Sequence, residues 1–149
     1  MNTSEIRKEN LINLYNEKGE KHGYWDCYYC NGQSSKGKYV NGKRDGYWEE
    51  YCSNGKLEYT GNYVNGNRHG YFEYYYSNGQ LFSKGNYVNG KQHGYWEEYC
   101  SNGKLEYKGY YDMGKQVDYN PDEPKIVELT LSDIANKFGI DINQLRIKE

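Results

Sequence analysis

The residues of this sequence that could do chemistry are two sets of cysteines, a row of histidines and a file of glutamates. Cys27-x-x-Cys30 has the spacing of a metal or redox pair. In an extended strand, however, residues three apart face opposite ways. Zinc takes four ligands, no second Cys-x-x-Cys pair exists, and His22 lies at the far end of the strand. Cys52 and Cys100 fill one slot two repeats apart, which Tyr29 and Tyr76 occupy in the other copies. Four strand spacings put them about 19 Å apart, beyond disulfide reach. They are small core fillers or exposed thiols, and a reducing compartment suits both.

His22, His69 and His93 share a register position that Asp45 and Val117 hold elsewhere. They could titrate together along one edge, but a histidine before glycine more often orients a turn. Glu49, Glu73 and Glu97 file along one strand face, with Glu50 and Glu98 on the other. Paired carboxylates suit glycoside hydrolysis. Here repeat-related acids have identical surroundings, so nothing separates an acid from a base. A solvated acidic stripe is the plainer reading. No nucleophile–base set, phosphate loop or cofactor motif accompanies them, so the sequence is read as non-enzymatic, without metal or cofactor.

The elements that position these residues follow from a repeat. Gly46-Tyr47-Trp48, Gly70-Tyr71-Phe72 and Gly94-Tyr95-Trp96 recur every 24 positions, and Gly23-Tyr24-Trp25 lies 23 before the next copy. The units are 23–46, 47–70, 71–94 and 95–118. They follow an N-terminal segment and half-repeat cap over 1–22. Asn54-Gly55, Asn65-Gly66, Asn78-Gly79, Asn89-Gly90 and Asn102-Gly103 are all read as type I′ hairpin turns. Between them the pattern alternates: Leu57, Tyr59, Gly61 and Tyr63 face one way, while Glu58, Thr60, Asn62 and Val64 face the other. The predicted fold is mainly β: an elongated antiparallel meander of about four two-stranded repeats, with a small α-helical C-terminal appendage.

Composition narrows the function. Of 149 residues only 36% are hydrophobic, yet 20 are tyrosine, so tyrosine must supply most of the buried area. The mean hydropathy of −1.19 agrees. A net charge of −2 offers no global field for DNA or an anionic membrane. Residues 1–10 lack an apolar h-region, and no stretch has the length of a membrane span. The expected setting is the cytoplasm of a bacterial or virus-infected cell.

Asn86-Tyr87-Val88-Asn89-Gly90-Lys91-Gln92-His93-Gly94 resembles the MORN repeat, whose signature is an aromatic, then Asn-Gly-Lys, then His-Gly. Residues 63–70 and 39–46 repeat the match. Trp48, Phe72 and Trp96 stand where the common eukaryotic form has a second glycine, which is similar to bacterial and viral variants, including repeat proteins labelled antitoxins. The resemblance implies a rolled antiparallel sheet serving as a scaffold or docking surface, and lipid binding for some members.

Residues 119–124 hold both prolines and form a linker. Beyond it, 125–149 predicts a short strand with Val127, Leu129 and Leu131 on one face. A helix follows, capped by Ser132, bearing Ile134, Ala135 and Phe138, and stopped at Gly139. Asp141 and Gln144 have capping-box spacing for a second turn of helix. The segment resembles a helix-turn-helix, the helical pair of LysM modules and, more loosely, end segments of rII-type phage proteins. The alternatives are a cap over the last strand, a docking module or a DNA reader; the second helix is too short to read a major groove.

The expected function is a protein-interaction module. Its aromatic face would comprise Trp25, Trp48, Phe72, Trp96, Tyr28, Tyr51, Tyr75 and Tyr99, with Lys43, Arg44, Arg68 and Lys91 as a charged turn rim. The expected partner is another protein, with self-association as a further option. An inhibitor or antitoxin that masks a host or toxin protein is the narrower alternative, and a structural part of a larger assembly is another. Nucleic-acid stacking on the tyrosines is disfavoured because Glu49, Glu50, Glu58, Glu97, Glu98 and Glu106 offset the rim. With no metal site in this pattern, added zinc should leave the melting temperature unchanged to within about two degrees. A chelator-sensitive melt would reverse that reading.

Overall fold

Asn-Gly turns fold the chain back on itself at short intervals. The computed structural model describes residues 12–124, 131–139 and 141. Asn41-Gly42, Asn65-Gly66 and Asn89-Gly90 hold both residues at positive φ, as does Met113-Gly114. These are the two-residue type I′ turns that match strand twist. The Asn54, Asn78 and Asn102 turns differ from the expectation, because only their glycines have positive φ. There the loop is longer. Gly55 N–H donates to the Cys52 carbonyl (2.9 Å), and the Asn54 side chain accepts from Lys56 N–H (3.0 Å). A type I bend ended by a left-handed glycine replaces type I′.

The strands are β1 (Leu14–Tyr15), β2 (Lys21–Tyr28), β3 (Ser34–Val40), β4 (Lys43–Tyr51), β5 (Leu57–Val64), β6 (Asn67–Tyr75), β7 (Leu81–Val88), β8 (Lys91–Tyr99), β9 (Leu105–Asp112) and β10 (Lys115–Val117). They form one antiparallel sheet in sequence order. The eight expected strands are β2 to β9. The two others are short flaps at the ends: β1 pairs only with Lys21 and His22, and β10 only with residues 110–112. The sequence boundary at Gly46 and Tyr47 falls inside β4, so a strand is shared between neighbouring units.

The core lies on one face of this single layer. Trp48 pairs with Gly37 on the preceding strand, Phe72 with Gly61, and Trp96 with Gly85. Each ring lies flat enough on its glycine that an added Cβ would overlap it. Trp48 and Phe72 are 0% exposed and Trp96 1%. Beside this contact the strand must take two extra residues. Gly37 faces Trp48 while Lys38 faces Asp45, so Gly46 and Tyr47 bulge, with Gly46 at φ 77°. A left-handed bulge position favours glycine, which accounts for the Gly of the His-Gly and Asp-Gly pairs. The bulge also places the Lys38 carbonyl where the Trp48 indole donates to it (3.0 Å), as Trp96 does to Asn86 (3.1 Å).

Tyrosines seal the gaps. Tyr15, Trp25, Tyr39, Trp48, Tyr63, Phe72, Tyr87, Trp96 and Tyr111 form an unbroken edge-to-face row with centroids 4.9 to 6.5 Å apart. Such contacts contribute about 0.5–1.5 kcal/mol each beyond area burial.

In the appendage, α1 (Leu131–Phe138) begins one residue before the expected Ser132 cap and ends at Gly139 (φ 63°). Boundaries of this kind shift by a residue or two. Leu131, expected on the short strand, instead opens this helix; the rest of that strand, at Val127 and Leu129, and the second helical turn after Asp141 lie outside the described residues.

Replacing Gly85 by Ala should destabilise the protein by about 1–3 kcal/mol or more, since the new Cβ meets a fully buried ring. Asn62→Ala, on an exposed position of β5, should stay within about 0.5 kcal/mol. Urea unfolding of the two variants checks the contrast.

Candidate functional site

Strand alternation sends two different chemistries to the two faces. On the core face, Arg44 stacks over Trp48 (4.3 Å) and Tyr63 (5.5 Å) and donates to Glu50 (2.8 Å) and the Tyr59 hydroxyl (2.6 Å). Arg68 sits among Tyr59, Phe72, Tyr74 and Tyr87 at 5.4 to 5.7 Å. Burial, then the bond to Glu50, raises the Tyr59 pKa; burial, then Tyr87, raises that of Tyr74. Both stay neutral hydroxyls that can donate.

The opposite face carries the accessible pattern. Glu49 accepts hydrogen bonds from Tyr47 (3.4 Å) and Tyr51 (2.7 Å), its neighbours two residues either side. Glu73 is held identically by Tyr71 (3.4 Å) and Tyr75 (2.7 Å), and Glu97 by Tyr95 (3.2 Å) and Tyr99 (2.6 Å). Lys36 pairs with Glu49 (2.9 Å) and Lys84 with Glu97 (2.8 Å). These lysines lower both carboxyl pKa values, with hydrogen bonds from Tyr51 and Tyr99 adding to the effect. Burial raises Tyr75. The result is a ladder of half-exposed phenol rings around ionised, oriented carboxylates.

Glu73 breaks the pattern. The lysine column reads Lys36, Thr60, Lys84 and Lys108, and Thr60 faces Glu73 across β5 and β6. Lys84 also lies opposite Glu73 but turns to Glu97. Glu73 therefore keeps two phenol donors and has no ion pair among the described residues. The Thr60 hydroxyl beside it is buried without a hydrogen-bond partner there. The arrangement can bind a cation. The glutamate stripe is thus gripped and partly neutralised, not freely solvated. Reading each column at the repeat period would have found Thr60.

The structure divides the sequence-predicted aromatic face. Trp25, Trp48, Phe72 and Trp96 are buried in the core, so they are not surface anchors. Tyr51, Tyr75 and Tyr99 lie on the other face, on the ladder, and Tyr28 is 81% exposed. Residues three apart on a strand cannot share a face. Of the predicted rim, Lys43 and Lys91 are exposed, whereas Arg44 and Arg68 stack on core rings.

The histidines meet turns. Asn41 N–H approaches His22 Nδ1 (3.5 Å) and Met113 N–H approaches His93 Nδ1 (3.4 Å). His93 also meets Asp122 (3.1 Å). The cysteines are free thiols, and among the described residues no group of three or more His, Cys, Asp or Glu could hold a metal. No helix among them is long and apolar enough to cross a membrane.

Residues 44–65, 68–89 and 92–113 each match the family model of the MORN repeat variant. The three segments are similar to MORN-variant repeats. Each begins in the first residues of β4, β6 or β8 and ends near the close of the following strand. Each matched segment is therefore one hairpin with its long loop inside. No curated protein matches the chain in sequence. Among solved structures, the chain overlaps "Crystal structure of GtfA/B complex bound to UDP and GlcNAc" at 13% identity and a TM-score of 0.26. The overlap covers 77% of this chain and 27% of that one, too loose to carry an argument.

Thr60→Lys should complete the lysine column and stabilise the protein by up to about 1 kcal/mol at neutral pH. A carboxylate with a lowered pKa contributes stability above its unfolded value, and that contribution fades as pH falls through the folded one. The gain should consequently vanish in acid and shrink in high salt. Urea melts at neutral and acidic pH test both.

Proposed function

We propose that the protein is a non-enzymatic interaction module that docks a partner protein on the ladder face, with Glu73 taking a lysine or arginine side chain. The observation that supports this most directly is the Tyr71–Glu73–Tyr75 site, a preoriented carboxylate without the lysine its two counterparts have. Tyrosines are suitable anchors: each offers rigid apolar area and a hydroxyl at little entropic cost. Here Tyr47, Tyr71 and Tyr95 are 55, 47 and 41% exposed at regular spacing. Ionised carboxylates along the face oppose a nucleic-acid backbone. An inhibitor or antitoxin that masks another protein is the narrower form of the same reading and would use the same surface.

Peptides pairing an aromatic residue with a Lys or Arg, measured by fluorescence polarisation, form the test. Glu73→Gln and Thr60→Lys should each weaken binding about fivefold or more, equivalent to about 1 kcal/mol, while Lys43→Ser should not. Equal binding by all variants would place the docking surface elsewhere.

A further inference from the structure

β9 is an unfinished interior strand. Its first half, residues 105–109, pairs with β8 on one side; on the other, β10 reaches only residues 110–112. Among the described residues no strand pairs with that outer edge of 105–109. The same half-strand is fully used elsewhere: Ser83, Lys84 and Gly85 of β7 pair with Glu98, Glu97 and Trp96 of β8.

Each feature that the next strand supplies in β3 and β7 is missing beside β9. Gly37 and Gly85 are covered by Trp48 and Trp96, whereas what crowds Gly109 is the hydroxyl end of Tyr107 from its own strand. That hydroxyl is buried and has no hydrogen-bond partner among the described residues. Lys36 and Lys84 pair with the acid of the following strand, Glu49 and Glu97. Lys108 stands in their column and has no ion pair among the described residues, since Glu97 is taken by Lys84. A cavity of about 920 Å³ opens here, lined in part by Tyr107, Lys108, Gly109, Tyr110 and Val117.

We propose that the outer edge of residues 105–109 is a strand-addition site for an extended segment of a partner polypeptide carrying an aromatic residue followed directly by Asp or Glu. The segment runs antiparallel to β9. Its aromatic ring lies on Gly109 and displaces the Tyr107 hydroxyl, and its carboxylate meets Lys108. Backbone hydrogen bonds give affinity and the alternate side chains give selectivity. A second copy of the chain is a poorer occupant. Its β2 does carry Trp25-Asp26, but the Asn13 side chain already spans Asp26: it donates to the Asp26 carbonyl (3.1 Å) and accepts from Asp26 N–H (2.9 Å). One end of the sheet is thus closed by a side-chain amide, and the other is open among the described residues. This site lies at the end of the sheet, apart from the Glu73 site.

The probe is a synthetic peptide with the sequence of residues 92–99, added to the full chain. It should bind and slow amide exchange at 105–109. Replacing its first Glu by Lys should weaken binding about tenfold, or about 1.4 kcal/mol. Lys108→Glu in the protein should do the same, and the Lys-bearing peptide should restore binding to that variant. Thr60→Lys, which alters the Glu73 site on β5 four strands away, should leave it unchanged. Three results overturn the proposal: no binding, binding indifferent to the charge swap, or exchange at 105–109 already slow in the free chain. In the last case, dependence of that protection on protein concentration would name a second copy as the occupant, and independence the chain's own remaining residues.

Discussion

An aromatic ring lying on a glycine of the preceding strand is the contact on which the rest of this structure depends. A single-layer sheet has no second layer to cover its apolar face. Here Trp48, Phe72 and Trp96 lie down on Gly37, Gly61 and Gly85, so the sheet supplies its own cover. The geometry requires a side chain of zero volume beneath and a flat one above. It also forces the neighbouring bulge at Gly46, which in turn presents the carbonyl that the indole binds. Glycine pair, bulge and indole bond are one device repeated. Tyr39, Tyr63, Tyr87 and Tyr111 then close the spaces between devices edge-on, and Arg44 or Arg68 roofs the ring.

Because that device uses only one face, the other is left to vary. The backbone repeats closely while single residues in a column change: Thr60 interrupts a run of lysines, Phe72 a run of tryptophans, and Tyr74 a glutamate column of Glu50 and Glu98. The changes at 60 and 74 alter local charge without touching the fold. Loss of Lys at 60 unmasks Glu73, and loss of Glu at 74 leaves Arg68 among rings alone. An array of near-identical hairpins thereby acquires addresses along its length.

Much of the fold is legible in the sequence because its signals are local. Asn65-Gly66 specifies a tight turn through its own φ preferences, and Tyr59, Gly61 and Tyr63 announce a face by alternation. The loop at Asn54 is less legible: its turn type depends on whether Cys52 and Lys56 close a longer loop, which the Asn-Gly pair does not encode. The site is harder still. Residue type groups Trp48 with Tyr51 as aromatic anchors, yet parity separates them, by the same argument that separates Cys27 from Cys30. Which face closes on itself is a matter of tertiary packing. Arg44 and Arg68 look like surface charge until the rings beneath them are seen, because a guanidinium can be half-buried on an aromatic face.

The choice of Phe at 72 has an optical consequence. Tyrosines lie 4.9 to 5.9 Å from Trp25, Trp48 and Trp96, close enough for their excitation to pass to the indoles. Emission from the folded protein is then tryptophan emission, arising near the first, second and fourth hairpins. The third hairpin, built around Phe72, contributes no indole of its own. Loss of order at the two ends of the sheet is therefore visible as a red shift, while the same event centred on Phe72 reaches the emission only through neighbouring indoles.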